Sequence, residues 1–169
     1  VVTTVDLAGA REVAAAVPDP ELPMVTLADL GILRDVSEED GQVVVTITPT
    51  YSGCPALREI AHDLRHRLSE AGFGLVTVRT ALAPAWTSDW ISPAGVAKLR
   101  AAGIAPPHPV PAPRPGPVPL TLTASRPAVA CPRCGSADTS RTAAFSATAC
   151  KALYRCEACR EPFEYLKDI

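Results

Sequence analysis

Four of the six cysteines fall in two C-x-x-C pairs near the end of the chain, "CPRC" (Cys131, Cys134) and "CEAC" (Cys156, Cys159), with twenty-one residues between them. Two such knuckles joined by strands deliver four thiolates to one tetrahedral ion, a shell that zinc accepts. Gly135, just past the first knuckle, suits the tight turn these loops need. The closed shell leaves no coordination position open, so a structural ion is expected. Iron also occupies four-thiolate sites, and the residues leave the choice between the two metals open. Disulfides or redox dithiols fit less well. The start, "VVTTVDLAGAREVAAAV", is an amphipathic stretch without a basic flank or cleavage site, so a reducing cytoplasm is expected. The segment from Cys131 onward is also too short to hold together by apolar burial alone. A zinc ribbon follows. Cys150 is left over, six residues before Cys156 at the expected start of a strand. It reads as a half-buried thiol supporting the ribbon, with a functional thiol or an alternative ligand as the other readings.

The remaining cysteine, Cys54, is the only one in the first 130 residues. It lies in "TPTYSGCP", where a strand gives way to a helix, and it precedes Pro55. At or beside the N-cap its sulfur would face unpaired backbone N–H groups and the positive end of the helix dipole, a setting that favours thiolate. Gly53 would let another backbone or a metal approach. A reactive thiol and a buried turn cysteine both remain open on these residues. "VPDPELP" sets Asp19 and Glu21 in a proline-stiffened loop, as partners for a cation or as a solvated turn. "APAWTSDWISP" holds Trp86 and Trp90, the only tryptophans, with Asp89 between them. They can be packing for a core lid or an aromatic anchor for a partner. His62 and His66 share a helix face but sit among charged residues, which favours solvent-exposed histidines over a metal pair. No nucleophile–base–oxyanion set, Walker loop or dinucleotide fingerprint can be read.

The elements that position these residues fall into two domains. "PPHPVPAPRPGPVP", Pro106–Pro119, starts a region reaching Pro127 that holds nine of the eighteen prolines. Proline fixes φ and donates no hydrogen bond, so an extended spacer of roughly 40 Å is expected. The domains are then 1–105 and 128–169, joined by a linker over 106–127. In front, Asp6 caps a helix from Leu7 to Val17. Strands follow at Ile32–Ser37 and Gln42–Thr48, joined by the acidic turn "EEDG". From Pro55 to Ala71 apolar residues recur at helical spacing, and Gly72 ends the run. "FGLVTVRTALA" is a third strand, and "SPAGVAKLRAAG" a helix capped by Ser92 and stopped by Gly103. The order α-β-β-α-β-α implies a small α/β sandwich, helices on one mixed sheet, with a zinc ribbon behind it.

Composition supports a real core, at 47% hydrophobic residues. A net charge of −2 argues against nucleic acid as a partner, and the ribbon's few basic residues stand among acids. The absence of a long apolar run argues against a membrane span.

"DPELP", "LADLG", "TPTYSGCP" and "WTSDWIS" together resemble the metal–sulfur assembly domain of the MIP/SufT type. With the proline spacer and "CPRCGS…ACKALYRCEAC", nearly the whole chain is similar to the D-subunit family of phenylacetyl-CoA epoxidases. The resemblance implies a non-catalytic accessory protein of a multicomponent di-iron oxygenase in aerobic phenylacetate degradation. Its implied task is maturation of a metal centre, above all the iron–sulfur cluster of the flavin-containing reductase component. The "GCP" cysteine, here Cys54, is the reactive position of that family, and the acidic loop maps to Asp19 and Glu21. Cys54 would hold iron or a persulfide transiently, while the ribbon docks on a partner chain. One cysteine cannot hold a cluster alone, so a homodimer or a client's ligands would have to complete the shell. The alternatives are a structural or regulatory component with an inert Cys54, and a nucleic-acid-binding ribbon.

Overall fold

The computed structural model of the protein describes residues 5–109 and 128–169, so the expected spacer from residue 110 onward lies outside the described residues. Two compact units divide the chain, residues 1–99 and 100–169.

In the first unit, α1 (Leu7–Ala15) begins where Asp6 Oδ1 accepts the Gly9 N–H at 3.0 Å, and it buries Ala10 and Ala14. β1 (Leu33–Glu39) and β2 (Gln42–Ile47) pair as an antiparallel hairpin. Asp40 and Gly41 at its tip have φ of 51° and 78°, the backbone of a two-residue turn whose twist matches the strands. Val43, Val44, Val45 and Ile47 are all buried, which makes β2 the central strand. α2 (Leu57–Glu70) then carries the chain across the sheet, because β3 (Val76–Thr80) pairs parallel to β2 and no tight turn can make that connection. Its buried residues Ile60, Leu64 and Leu68 recur every four positions, one per turn. α3 (Pro93–Ala101) follows Ser92, whose Oγ accepts the Gly95 N–H at 2.9 Å. The sheet order β1-β2-β3 and the element order match the α-β-β-α-β-α expectation.

The second unit is a four-stranded sheet in the order β4-β7-β6-β5. Its strands are β4 (Ile104–Ala105), β5 (Thr139–Ala143), β6 (Lys151–Cys156) and β7 (Pro162–Leu166). β4 departs from the sequence reading, which ends the front domain at residue 105. Ile104 and Ala105 pair parallel with Glu164 and Tyr165 of β7, and Ala105 joins Val129, Ala152, Phe163 and Tyr165 in the ribbon core. Ala105, from before the spacer, thus enlarges a core that the ribbon's own strands leave small. His108, in the expected spacer, is also tied down. Its N–H donates to Asp168 Oδ1 at 2.7 Å, and its ring Nδ1 lies 3.1 Å from the Tyr165 hydroxyl. Among the described residues, no helix is long and apolar enough to cross a membrane.

The end of α2 shows how tightly local sequence fixes this frame. Phe73 N–H donates to Leu68 O and Gly72 N–H to Ser69 O, both at 3.0 Å, with Gly72 at φ 89°. This pair of bonds is the glycine-dependent helix stop. No heavy atom lies within 4 Å of the position a Cβ would take, so only backbone conformation opposes a side chain there. Gly72→Ala is therefore expected to lower the unfolding free energy by about 1 kcal/mol. An unchanged urea midpoint would refute the assignment.

Candidate metal centre and the Cys54 turn

The ribbon's four cysteines come together as expected. The sulfurs of Cys131, Cys134, Cys156 and Cys159 all lie within 4.8 Å of one another, with Cys131–Cys159 at 3.8 Å and Cys134–Cys156 at 3.6 Å. Four zinc–sulfur bonds of about 2.3 Å in a tetrahedron require sulfur–sulfur edges of about 3.8 Å, so the tetrad fits the ion. The knuckles are built alike. Cys131 N–H donates to Ser136 O at 2.9 Å, and Cys156 N–H to Glu161 O at 3.0 Å. The residue after each second cysteine takes a left-handed conformation, Gly135 at φ 74° and Arg160 at φ 66°. The sequence signals only the first of these turns.

Electrostatics favour a cation among these sulfurs. The Cys159 N–H, 3.5 Å from Cys156 Sγ, leads in drawing that thiol down to about 7. The Glu161 N–H pulls Cys159 down as well, but desolvation and the three neighbouring sulfurs push it up to about 12. Sulfurs this crowded ionise together only around a cation. No member of the tetrad is in a disulfide. Cys150 is half-buried just before β6, 3.1 Å from Thr148 Oγ1 and outside the tetrad. Beside it, the buried Lys151 ammonium donates to Glu164 Oε2 at 2.9 Å, and Ser146 donates to the other oxygen of the same carboxylate.

Cys54 differs from expectation in one respect. α2 begins two residues later than "GCP" suggests, with Ala56 in the cap position and no side-chain cap bond. Pro55 and Ala56 are consumed by a turn in which Leu57 N–H donates to Cys54 O at 3.4 Å. Cys54 is therefore a half-buried turn residue ahead of the helix, its own N–H bonded to Tyr51 O at 3.2 Å. What holds is its place in the sheet. The Cys54 turn leaves the carboxyl end of β2, and the tryptophan loop leaves the carboxyl end of the parallel β3. Because β1 is antiparallel, its start lies at that same end, where Leu33 faces Ile47. Three loops thus emerge together.

Two of these loops are bolted to each other. Trp86 is 4% exposed and its Nε1 donates to Leu30 O at 2.9 Å. It is core packing, so the expected partner contact does not extend to it. Trp90 is half-buried with the Arg34 guanidinium 3.6 Å over its ring, and Asp89 is exposed. Asp19 is buried, and its Oδ1 accepts the N–H groups of Glu21 and Leu22, each at 2.9 Å. That carboxylate shapes the "DPELP" turn and leaves Glu21 facing solvent. His62 and His66 stand on α2 with ring centroids 6.1 Å apart, outside any metal grouping. Among the described residues, the tetrad is the one grouping of three or more metal-ligating side chains.

The residue that sequence reasoning missed is Asp29, in "LADLG". Its carboxylate accepts the Thr26 N–H at 3.0 Å, the Ser92 hydroxyl at 3.3 Å and the Lys98 ammonium at 2.6 Å, which joins the loop before β1 to α3. Burial pushes this carboxyl up, but the bonds from Lys98 and Thr26 outweigh it and hold the pKa below the ordinary value. An acid between apolar neighbours was the only available sign.

Two outcomes follow from these sites. The full chain should bind about one zinc. Cys131→Ser with Cys156→Ser should abolish that binding and expose the ribbon to protease, and retained zinc would overturn the assignment. Asp29→Ala should cost about 2 kcal/mol by stripping a buried network of its acceptor. Since the folded pKa is depressed, the stabilisation is present above the ordinary carboxylate range, near 3.9, and fades as pH falls below it. The variant's stability should accordingly fall less on acidification than that of the parent, and parallel curves would show that Asp29 is not the titrating group.

With the geometry established, comparison with known proteins places both units. Residues 10–79 match the family model for an iron–sulfur cluster assembly protein, and residues 115–167 match the PaaD zinc beta ribbon domain. The chain is 44% identical over 153 residues to the D subunit of the putative 1,2-phenylacetyl-CoA epoxidase of Escherichia coli, spanning 90% of this chain and 87% of that one. It is 38% identical over 76 residues to the Fe-S protein maturation auxiliary factor of Porphyromonas gingivalis, spanning 44% of this chain and 71% of that one. The crystal structure of a DUF59 domain from Bacillus anthracis superimposes with a TM-score of 0.51 at 29% identity, covering 55% of this chain and 90% of that one. An assembly-type α/β unit and a four-cysteine ribbon, in that order along one chain, make this protein a member of the D-subunit family of phenylacetyl-CoA epoxidases.

Proposed function

We propose that this protein is a cytoplasmic accessory component that helps assemble a metal centre in a partner of the phenylacetyl-CoA ring-epoxidising oxygenase system. Its client is the iron–sulfur flavin reductase component. The observation that carries this reading is Cys54, half-buried in a turn where three loops leave one end of the sheet, within the stretch that matches the iron–sulfur assembly family. The relative from Porphyromonas gingivalis, named for Fe-S protein maturation, supports the same task. Iron or a sulfide-bearing fragment is the cargo. Cys54 holds it in transit, with Glu21 exposed on the acidic loop and Asp19 shaping that loop from within. One thiolate does not complete an iron shell, so a second copy of the chain or the client supplies the other ligands. Zinc in the ribbon is structural, and the ribbon, with Trp90 and Asp89 of the front unit, serves docking. The mild net charge of −2 supports a protein partner over nucleic acid.

Cys54→Ser tests the assignment, because serine keeps the turn and removes the soft ligand. In cells carrying only this variant, purified reductase should contain less than half its iron–sulfur complement while the variant retains its zinc. A full complement would instead favour a structural component with an inert Cys54.

A further inference from the structure

The ribbon unit carries a pocket of about 360 Å³ that neither the zinc site nor the Cys54 turn uses. Two cations line it. Arg141 on β5 is exposed, and among the described residues its guanidinium has no ion-pair or side-chain hydrogen-bond partner. Lys167 donates to Ala149 O at 2.6 Å and sits 4.1 Å over the Phe145 ring. Partial burial lowers the Lys167 pKa and Arg141 repels it further, although Cys150 acts in the opposite sense. Asp168 also lines the pocket, but its Oδ1 is engaged by the Tyr165 hydroxyl and the His108 N–H. Two cations against the single Asp168 carboxylate leave the lining of the pocket net positive, which favours an anion.

The rest of the lining says what the anion is attached to. Phe145 is 64% exposed, and Tyr154 presents a half-buried ring beside it in the same pocket. An isolated inorganic anion would leave these rings in water. A carboxylate carried next to an apolar group would engage both features, since aromatic and arginine side chains supply most of the energy at protein interfaces. Arg141 and Phe145 are both exposed, so a polypeptide can reach them without any opening of the ribbon.

We propose that this pocket is the ribbon's docking site for a partner protein, accepting an Asp or Glu side chain between Arg141 and Lys167 while a neighbouring aromatic residue of the same segment packs on Phe145 and Tyr154. The inference deepens the accessory reading and rests on it only in taking a protein as the partner.

The test uses the zinc-loaded full chain, labelled for amide chemical shifts and titrated with N-acetyl-Glu-Phe-amide. Saturable shifts are expected at Phe145, Tyr154 and Lys167. The matching Gln-Phe peptide should bind at least tenfold more weakly, and Arg141→Gln should weaken the Glu peptide by at least tenfold with the spectrum otherwise unchanged. Phe145→Ala, at an exposed loop position, should weaken it independently. Equal binding of the Gln peptide, shifts that survive Arg141→Gln, or no saturable shift would overturn the proposal. Benzoate binding as tightly as the peptide would also overturn it, by making the pocket a small-molecule site. No client and no iron enter this titration, so its failure leaves the Cys54 assignment standing, and an inert Cys54 leaves the pocket intact.

Discussion

The parallel pairing of β3 with β2 is the constraint on which the front unit's candidate site depends. Two parallel strands cannot share a tight turn, so α2 must cross the sheet between them. The crossing fixes where chemistry can occur. The turn into α2 and the loop after β3 both leave carboxyl ends of parallel strands, where ligand-binding crevices form in open α/β sheets. The antiparallel hairpin adds the start of β1 at the same end. Cys54 is thus placed by topology, in the turn that leaves the carboxyl end of β2. Asp29 then locks two of the three loops together, through Thr26 on one side and Ser92 and Lys98 on the other. A carboxylate with three donors drawn from separate segments resists loop motion that apolar packing alone would permit.

The ribbon solves a different problem. Its core is a handful of side chains, two of them the zinc ligands Cys131 and Cys156. So small a core needs a staple, and four sulfurs around one ion provide it. The structure adds a second device, in which Ile104 and Ala105 extend the sheet through β7. The knuckles therefore act on a sheet that begins before the spacer, and His108 is tied just past the last strand to Asp168, whose carboxylate also lines the pocket.

What could be read from the sequence had a local cause. The hairpin tip needed positive φ at two adjacent positions, and "DG" supplies it. The periodic leucines and Gly72 delimit α2 because burial and helix termination each leave a mark within one turn. The tetrad was legible because metal spacing is written into C-x-x-C. The remainder depended on contacts between distant segments. A two-residue strand such as β4 has no period to detect. Trp86 and Trp90 look equivalent four residues apart, yet only Trp86 finds a carbonyl, that of Leu30, inside the core. The start of α2 was misplaced because Pro55 suits both a first helical turn and the turn preceding it. Arg160 adopts a conformation its residue type disfavours, and only the knuckle's geometry dictates it.

In the proposed maturation role, the two units would divide a task that neither set of residues could perform alone. A single thiolate holds soft cargo weakly, which suits transfer, since a ligand set that completed the shell would retain what it should release. Weak coordination cannot by itself select a client. Selection then has to come from a surface that does no chemistry, and the pocket around Arg141 and Phe145 has the charge and the aromatic area for it. Linking such a surface covalently to the thiol turns the second encounter into an intramolecular one, which raises the thiol's effective concentration near the client without strengthening its grip. In that reading the zinc would serve transfer only by stabilising the ribbon that carries Arg141 and Lys167. Its closed thiolate shell is what allows a metal to do that without competing for the cargo.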